Sequence, residues 1–172
     1  MKFRKTIIED IKNVMQIIDD AKEYFRKNGI DQWQNGYPNS DVIYGDIKNN
    51  SSYVLESENR ILATAMVSFE EDKSYKNIYD GKWLNSGDYA VIHRIAVNEK
   101  YKGNGIASDI IKEVENLCKE NKVNSIKIDT HKDNISMQKL LEKNDFKYCG
   151  IIYLADKSKR VAFEKVLNKN SK

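Results

Sequence analysis

The sequence has few of the residues that mark secreted, metal-binding or membrane proteins. Its 172 residues include two cysteines, Cys118 and Cys149, and two histidines, His93 and His131. Neither pair has the number or spacing of a disulfide framework or a zinc site, so we expect reduced thiols and no metal. No apolar run approaches the roughly 18 residues that span a bilayer. The opening MKFRKTIIED lacks a signal peptide's apolar core and cleavage site, which predicts a cytoplasmic protein without a membrane partner.

The sequence also lacks a strong excess of either charge. Lys and Arg number 29 against 26 Asp and Glu, and the basic residues are scattered along the chain. This pattern argues against a nucleic-acid partner. There is one proline, and no Pro-, Gly- or Ser-rich segment divides the chain. A chain of this length can bury one full core, so we predict a single domain over 1–168 and a loose tail at 169–172.

Hydrophobic periodicity predicts an α+β order of elements. The first half reads as a strand near 3–8, helices over 9–27 and 41–49, and a hairpin of strands 52–57 and 60–69 turning at Glu58-Asn59. The second half reads as a strand over 88–97, a helix from 105, a strand over 125–130, a helix over 133–144 and strands over 146–154 and 159–166. The run 88–130 implies a right-handed parallel crossover, so the sheet is predicted to be mixed.

Residues 101–108, YKGNGIAS, hold two of the eight glycines where a strand ends and a helix begins. The first N–H groups of a helix lack internal partners and carry partial positive charge, so they can hold an anion when no side chain intervenes. Gly103 and Gly105 would leave that space. The segment matches neither the nucleotide phosphate loop nor the dinucleotide fingerprint, which needs Gly or Ala at Ser108. On these residues alone, an anion site and a simple turn both remain open.

This segment in its context resembles the acetyl-CoA pyrophosphate loop of the GCN5-related N-acetyltransferase (GNAT) superfamily. That pattern is Arg or Gln, two residues, Gly, one residue, then Gly or Ala, and Lys102, Gly105 and Ala107 align with it. Lys102 is a departure that keeps a cation beside the phosphates. The resemblance extends over 88–154 through IHRIAV and IDTHKDNISMQKLLEKNDF. Leu141 is a second departure, because many members carry there a Tyr that protonates the leaving thiolate.

The resemblance implies a fold and an activity. The fold is a GNAT-like mixed, mostly antiparallel twisted sheet of about seven strands flanked by about four helices, with a parallel crossover at the cofactor loop. The activity is acetyl-CoA-dependent transfer of an acetyl group to a primary amine, directly within a ternary complex, with CoA as product. Members are often dimers, which makes a homodimer an expected partner. Two alternatives stay open: a non-catalytic acyl-CoA-binding or regulatory module, and an acetyltransferase acting on a protein amine.

The same resemblance assigns cofactor contacts to three segments. The backbone of Ile95, Ala96 and Val97 pairs with the pantetheine arm, and the Ile95 N–H lies near the acetyl carbonyl, where it can stabilise developing negative charge. Asn134 reaches a pantetheine amide or, alternatively, caps its own helix. The remaining contacts come from the loop and helix start: Lys102, Gly103, Asn104, Gly105, Ile106, Ala107 and Ser108.

Amine acetylation needs a base, because a free alkylamine has a pKa near about 10 and is protonated at neutral pH. Strand alternation places His93 on the face of Val91 and Ile95, and by resemblance that face carries the proton relay. An imidazole suits the task, although a hydrogen-bonded core histidine fits the same position. His131, at the end of the next parallel strand, is the second candidate, or else it caps the following helix.

Two aromatic segments are candidates for the acceptor site. By resemblance, the loop that holds Trp33, Gln34 and Tyr37 covers this site, and the segment 70–87 adds rings and carboxylates near it. We expect both to narrow the site to a small-molecule amine, although loops whose rings pack on their own domain are the alternative. Cys149 as a covalent acyl carrier is a further alternative, for which the sequence supplies no base.

Overall fold

The computed structural model describes residues 1–167, so the predicted tail at 169–172 lies outside the described residues. The helices are α1 (Ile11–Lys27), α2 (Ser40–Lys48), α3 (Ile106–Glu120) and α4 (Ile135–Lys143). The strands are β1 (Lys2–Lys5), β2 (Ser52–Ser57), β3 (Arg60–Ser68), β4 (Ala90–Val97), β5 (Ser125–Thr130), β6 (Lys147–Tyr153) and β7 (Lys159–Val166).

The seven strands form one mixed sheet in the order β1-β2-β3-β4-β5-β7-β6. β4 and β5 pair in parallel through Ala90↔Ile126 and Val91↔Lys127. The pairs β1–β2, β2–β3, β5–β7 and β6–β7 are antiparallel. The predicted mixed sheet with four helices is therefore confirmed, including the parallel step across the helix that follows β4.

Local hydrogen bonds explain where the element ends differ from the prediction. β1 stops at Lys5, because Asp10 accepts from the Ile7 N–H at 2.9 Å and from Arg4 at 2.6 Å and so folds Ile8–Asp10 into a 3-10 turn. α4 begins at Ile135, later than predicted, because Asn134 occupies its N-cap. The β2–β3 hairpin turns at Glu58 and Asn59 as predicted, and both have left-handed φ angles, 49° and 59°. Two-residue hairpin turns of this hand match the twist of the strands.

The chain divides into two compact units, each with its own apolar core. The first comprises residues 1–67 and 93–113, and the second comprises 68–92 and the described chain from 114 onward. In the first, α1 lays its apolar stripe on the sheet, and the buried cluster consists of Val14, Ile17, Ile18, Ile43, Val54, Ile61 and Ala96. In the second, a buried cluster consists of Tyr75, Val91, Ile152 and Ala162. Burial of such side chains contributes roughly 1.5–3 kcal/mol each before the entropy cost of ordering.

Residues 69–89, between β3 and β4, belong to the second unit and are held in it by contacts of their own aromatic and backbone groups. Tyr75 is 2% exposed, and its hydroxyl donates to Asp129 at 2.6 Å. The Trp83 Nε1–H donates to the Tyr75 carbonyl at 2.8 Å, and the Lys127 ammonium lies 4.4 Å from the Trp83 ring centroid. The rings of Tyr75 and Trp83 therefore pack on their own domain, which is the alternative that the sequence left open for segment 70–87. The buried Tyr75 ring does not supply an open wall for an acceptor.

Membrane-spanning and metal-binding features are absent from residues 1–167. In this part of the chain, no helix combines the length and apolar character needed to cross a membrane. The same residues contain no group of three or more His, Cys, Asp or Glu side chains placed to hold a metal ion.

Candidate active site

The loop that joins β4 to α3 has the geometry of an anion cradle. Gly103 and Gly105 have left-handed φ angles of 79° and 81°, and apart from the adjacent residues in the chain no atom lies within 4 Å of where a Cβ would stand on either. Glycine is therefore needed at both positions for backbone conformation, since a side chain would meet no protein atom. The Gly105 carbonyl accepts from the Asp109 N–H at 3.0 Å, which opens α3 directly behind the turn. The first N–H groups of α3 therefore follow directly after two glycines that carry no side chain.

The polar side chains of this loop shape its backbone. Asn98 accepts from the Lys100 N–H at 3.1 Å, and the Asn104 amide donates to the Tyr101 carbonyl at 3.3 Å. The exposed Lys102 places its ammonium 4.8 Å from the centroid of the Tyr24 ring on α1. This contact directs the Lys102 side chain to α1, and its role as a cation beside the phosphates remains a prediction.

β4 is interrupted by one residue in a conformation that strands do not use. Arg94 has a φ of 52°, a left-handed value that costs an L-residue roughly 1–2 kcal/mol. The residues that follow it, Ile95 and Ala96, are 8% and 7% exposed, and the Asn98 N–H donates to the Leu62 carbonyl at 2.8 Å. Strained residues of this kind concentrate where a backbone group must point in an unusual direction. Here the next N–H along the chain is that of Ile95.

Strict alternation along β4 does not hold across Arg94. The inference that His93 shares a face with Ile95 assumes extended backbone at each residue between them, and Arg94 is not extended. His93 is half-buried. Its assignment as a base therefore rests on the resemblance and on imidazole chemistry, and it remains a prediction.

The Arg94 side chain, which makes several strong hydrogen bonds in this region, was not predicted to have a role from the sequence. The Arg94 guanidinium donates to the Asp46 carboxylate from Nε at 2.9 Å and from one terminal nitrogen at 2.6 Å, and its other terminal nitrogen donates to the Tyr37 hydroxyl at 2.5 Å. Both charged side chains are 11% exposed. The available signal was an arginine inside the apolar run AVIHRIAV, since a charge in such a run needs a partner. The partner, on α2, has no sequence pattern that links it to β4.

The predicted acceptor loop is held in place by several contacts of the first unit. Trp33 packs against the core of that unit, with its ring 5.5 Å from the ring of Phe25. The Gln34 amide donates to the Lys22 carbonyl at 3.1 Å, and the Lys22 ammonium donates to the Pro38 carbonyl at 2.6 Å. Tyr37 is 40% exposed, with its hydroxyl on Arg94. Of the three predicted residues, Gln34 and Tyr37 present the most surface.

His131 is engaged at one ring nitrogen. Its Nδ1 accepts from the Asp133 N–H at 3.1 Å, just ahead of α4. In a neutral imidazole with Nδ1 as acceptor, Nε2 carries the proton and has no lone pair for a substrate proton. This arrangement favours the alternative in which His131 organises the turn before the helix.

Asn134, which caps α4, and Leu141, which lies within it, both have structural roles. Asn134 is 4% exposed, and its Oδ1 accepts from the Met137 N–H at 3.1 Å, which is the N-cap that sequence reasoning offered as its alternative. Leu141 is fully buried within α4. It contributes apolar packing at the position where the resemblance expected a tyrosine.

Neither cysteine has the environment of a nucleophile. Burial raises the pKa of the Cys149 thiol to about 11, with a further contribution from the nearby Glu164 carboxylate. Burial likewise raises the pKa of Cys118 to about 12, and Glu115 adds to the effect. A nucleophilic cysteine needs a lowered pKa, so an acyl-cysteine route has no support from these sites.

Comparison with known proteins agrees with this geometry. The model of the acetyltransferase (GNAT) family matches residues 14–146. The chain belongs to the GNAT acetyltransferase family. A GNAT-family acetyltransferase from Streptococcus agalactiae has 32% identity and a TM-score of 0.88, with 98% of this chain and 96% of that chain covered. No curated protein gave a significant match.

More distant solved structures share the fold alone. One is a ribosomal-protein-alanine N-acetyltransferase from Brucella melitensis, with 16% identity, a TM-score of 0.70 and coverage of 97% of this chain and 100% of that chain. Another is the PaiA N-acetyltransferase from Thermoplasma acidophilum, in complex with coenzyme A, with 14% identity, a TM-score of 0.70 and coverage of 96% and 98%.

Acetyl-CoA is the cofactor of this GNAT acetyltransferase, as predicted. The residues present fit such a group. A pyrophosphate needs main-chain donors at a helix start with no side chain over them, and the left-handed Gly103 and Gly105 before α3 meet that requirement.

Proposed function

We propose that this GNAT acetyltransferase moves the acetyl group of acetyl-CoA to the primary amine of a small molecule, by direct transfer in a ternary complex. The observation that carries the proposal is the left-handed Arg94 in β4, with the Ile95 N–H next in the chain and the cofactor loop a few residues on. In the proposal, one short stretch of backbone supplies both a fixed donor, the Ile95 N–H, and an anion site. Acyl transfer to an amine uses both.

Three groups of residues within the stretch 93–108 have roles in the proposal. The main chain of Ile95, Ala96 and Val97 pairs with the pantetheine arm, while the N–H groups of 103–108 and the Lys102 ammonium hold the pyrophosphate. When bound, acetyl-CoA supplies an activated acetyl thioester. The Ile95 N–H stabilises the negative charge that develops on the carbonyl oxygen when the amine attacks. Asn134 remains a proposed contact to a pantetheine amide.

His93 is the proposed base that takes the proton from the amine, directly or through water. With Leu141 in place of tyrosine, the chain offers no acid at that position. A thiol is several pKa units more acidic than an alcohol, so it leaves acceptably as a thiolate without such an acid. Leu141 is therefore compatible with turnover.

The substrate class rests on the acceptor loop. Its hydrogen bonds with Lys22 and Arg94 and the packing of Trp33 make residues 31–38 a supported wall of the first unit. A wall that is already packed favours a compact acceptor that fits against it, and an extended peptide would need it to move. The exposed Tyr37 ring offers an apolar or cation-binding surface.

An acceptor screen tests the proposal. The purified protein and acetyl-CoA are mixed with polyamines, amino acids, amino sugars and an unstructured peptide with a free N-terminus and lysine, and free thiol release is followed. We expect one of the small amines to give the highest kcat/KM. A higher value for the peptide would indicate a protein amine as acceptor. Tight CoA binding by calorimetry with no thiol release from any amine would favour the non-catalytic binding module.

A further inference from the structure

The Arg94 side chain joins three elements of the first unit at one point. It belongs to β4, its carboxylate partner Asp46 lies on α2, and its hydroxyl partner Tyr37 lies in the loop 31–38. The guanidinium uses three bonds of 2.6–2.9 Å to hold both oxygens of Asp46. A bidentate pair of this kind fixes the orientation of the arginine as well as its position.

Position 94 is also the left-handed residue of β4. A φ of 52° is energetically unfavourable for an arginine. Without an external constraint, its backbone would relax toward the extended φ values of the neighbouring strand residues. The ion pair with Asp46 supplies a constraint, because the side chain reaches the buried carboxylate from the backbone conformation that the structure shows. The Tyr37 hydroxyl adds a second fixed point on the same guanidinium.

We infer that the Asp46–Arg94–Tyr37 cluster is a positioning device, which holds β4 in its left-handed conformation and so aims the Ile95 N–H at the reacting carbonyl. This inference rests on the proposed function, in which the Ile95 N–H is the donor. The same cluster tethers the acceptor loop to the residue that precedes that donor. None of the three side chains is assigned a step in the chemistry.

The first experiment needs no substrate. The ¹³Cα and ¹³Cβ resonances of Arg94 report its backbone conformation, and they are measured in the free protein for the wild type, Asp46→Asn and Asp10→Asn. Asp10→Asn is the matched control, because Asp10 also holds a half-buried arginine, Arg4, at 2.6 Å in the same unit but away from β4. We expect the Arg94 resonances to move toward extended values in Asp46→Asn only. Unchanged resonances in a folded Asp46→Asn variant would overturn the inference.

The second experiment compares Arg94→Ala with Arg94→Gly. Glycine takes the left-handed conformation without cost, whereas alanine must be held in it, and neither has the arginine side chain. If the side chain acts by holding the backbone, Arg94→Gly should retain a kcat at least about 5-fold higher than Arg94→Ala, with similar acetyl-CoA affinity. Equal values, or a lower value for glycine, would contradict a positioning role.

Tyr37→Phe gives a mild variant in case the charged substitutions prevent folding. It removes one of the two fixed points and leaves the ion pair, so we expect the acceptor KM to rise about 3-fold or more and the Arg94 resonances to move in the same direction as in Asp46→Asn, by a smaller amount. No change in acceptor KM would remove Tyr37 from the device. Loss of the proposed function appears differently, as a wild type that releases no thiol, and in that case the resonance comparison still decides whether the cluster holds the backbone of β4.

Discussion

Single residues of the cofactor loop act through their backbone conformation. Gly103 and Gly105 are left-handed with free space where a side chain would stand, so the protein itself does not exclude larger residues there by contact. Larger residues are disfavoured there by the left-handed φ angle and, in the proposed complex, by the pyrophosphate. Substitutions can separate the effect of the φ angle from the effect of the pyrophosphate.

Replacing Gly105 with Asp should weaken CoA binding by about 10-fold or more, because a carboxylate would face the pyrophosphate at the start of α3. Gly29→Asp is the matched control. Gly29 is also left-handed, at 65°, and no other atom lies within 4 Å of where its Cβ would stand, but it follows α1. Isothermal calorimetry measures both affinities. Equal CoA affinity in the two folded variants would contradict the loop assignment.

His93 is the residue on which the proposed chemistry depends. His93→Ala should lower kcat by about 100-fold or more with acetyl-CoA affinity nearly unchanged, because a general base acts on the amine and not on the cofactor. The acidic limb of the pH–rate profile should be lost. His131→Ala is the control, since the Nδ1 of His131 is engaged by the Asp133 N–H. A larger loss in that control would transfer the role to His131.

At the scale of elements, the loop 31–38 shows how packing prepares a surface. Trp33 has a left-handed φ of 59° and still packs its ring on the core of the first unit. Burial of a large ring offsets the backbone cost, since an indole contributes more apolar area than most side chains. The loop therefore has a defined conformation before any acceptor arrives.

Trp33→Ala should raise the acceptor KM with little effect on acetyl-CoA affinity, because it removes support from the acceptor loop and leaves the glycine loop intact. It should also lower the free energy of unfolding by up to about 3 kcal/mol, through lost packing. Trp83→Ala is the control, because Trp83 is a half-buried indole that packs on Lys127 in the second unit. Steady-state kinetics on both variants should show the KM effect for Trp33 alone. A matching rise in Trp83→Ala would mean that lost stability, and not the loop, is responsible.

At the scale of the whole molecule, buried thiols make stability depend on alkaline pH. Cys118 has a folded-state pKa of about 12 against an ordinary value of 9.0, because burial disfavours the thiolate. The stability that the folded protein gains by keeping this thiol protonated is fully present below pH 9, and it is lost as pH rises from 9 toward 12. The lost stability approaches about 1.4 kcal/mol for each pH unit within that window.

Cys118→Ala should therefore lose less unfolding free energy than the wild type as pH rises from about 8 to about 10.5. Denaturant unfolding at several pH values measures the two slopes. Lys127, whose pKa burial lowers, contributes in the opposite direction, but it is present in both proteins and cancels in the comparison. Parallel slopes would mean that Cys118 does not titrate on unfolding in this range.

The sequence alone determined the element order of this protein, because that order is written in local patterns. Periodicity placed four helices and seven strands to within a few residues. The Gly103–Gly105 spacing after β4 left an anion site and a simple turn open, and it was the resemblance to the GNAT loop that made the anion site the prediction. Only the tertiary structure decided which rings pack and which stay open, as for the buried Tyr75 and the exposed Tyr37. It also decided the Asp46–Arg94 pair, whose members are 48 residues apart. The pair forms only because α2 packs beside β4, and a local sequence pattern cannot predict which distant residues the fold brings into contact.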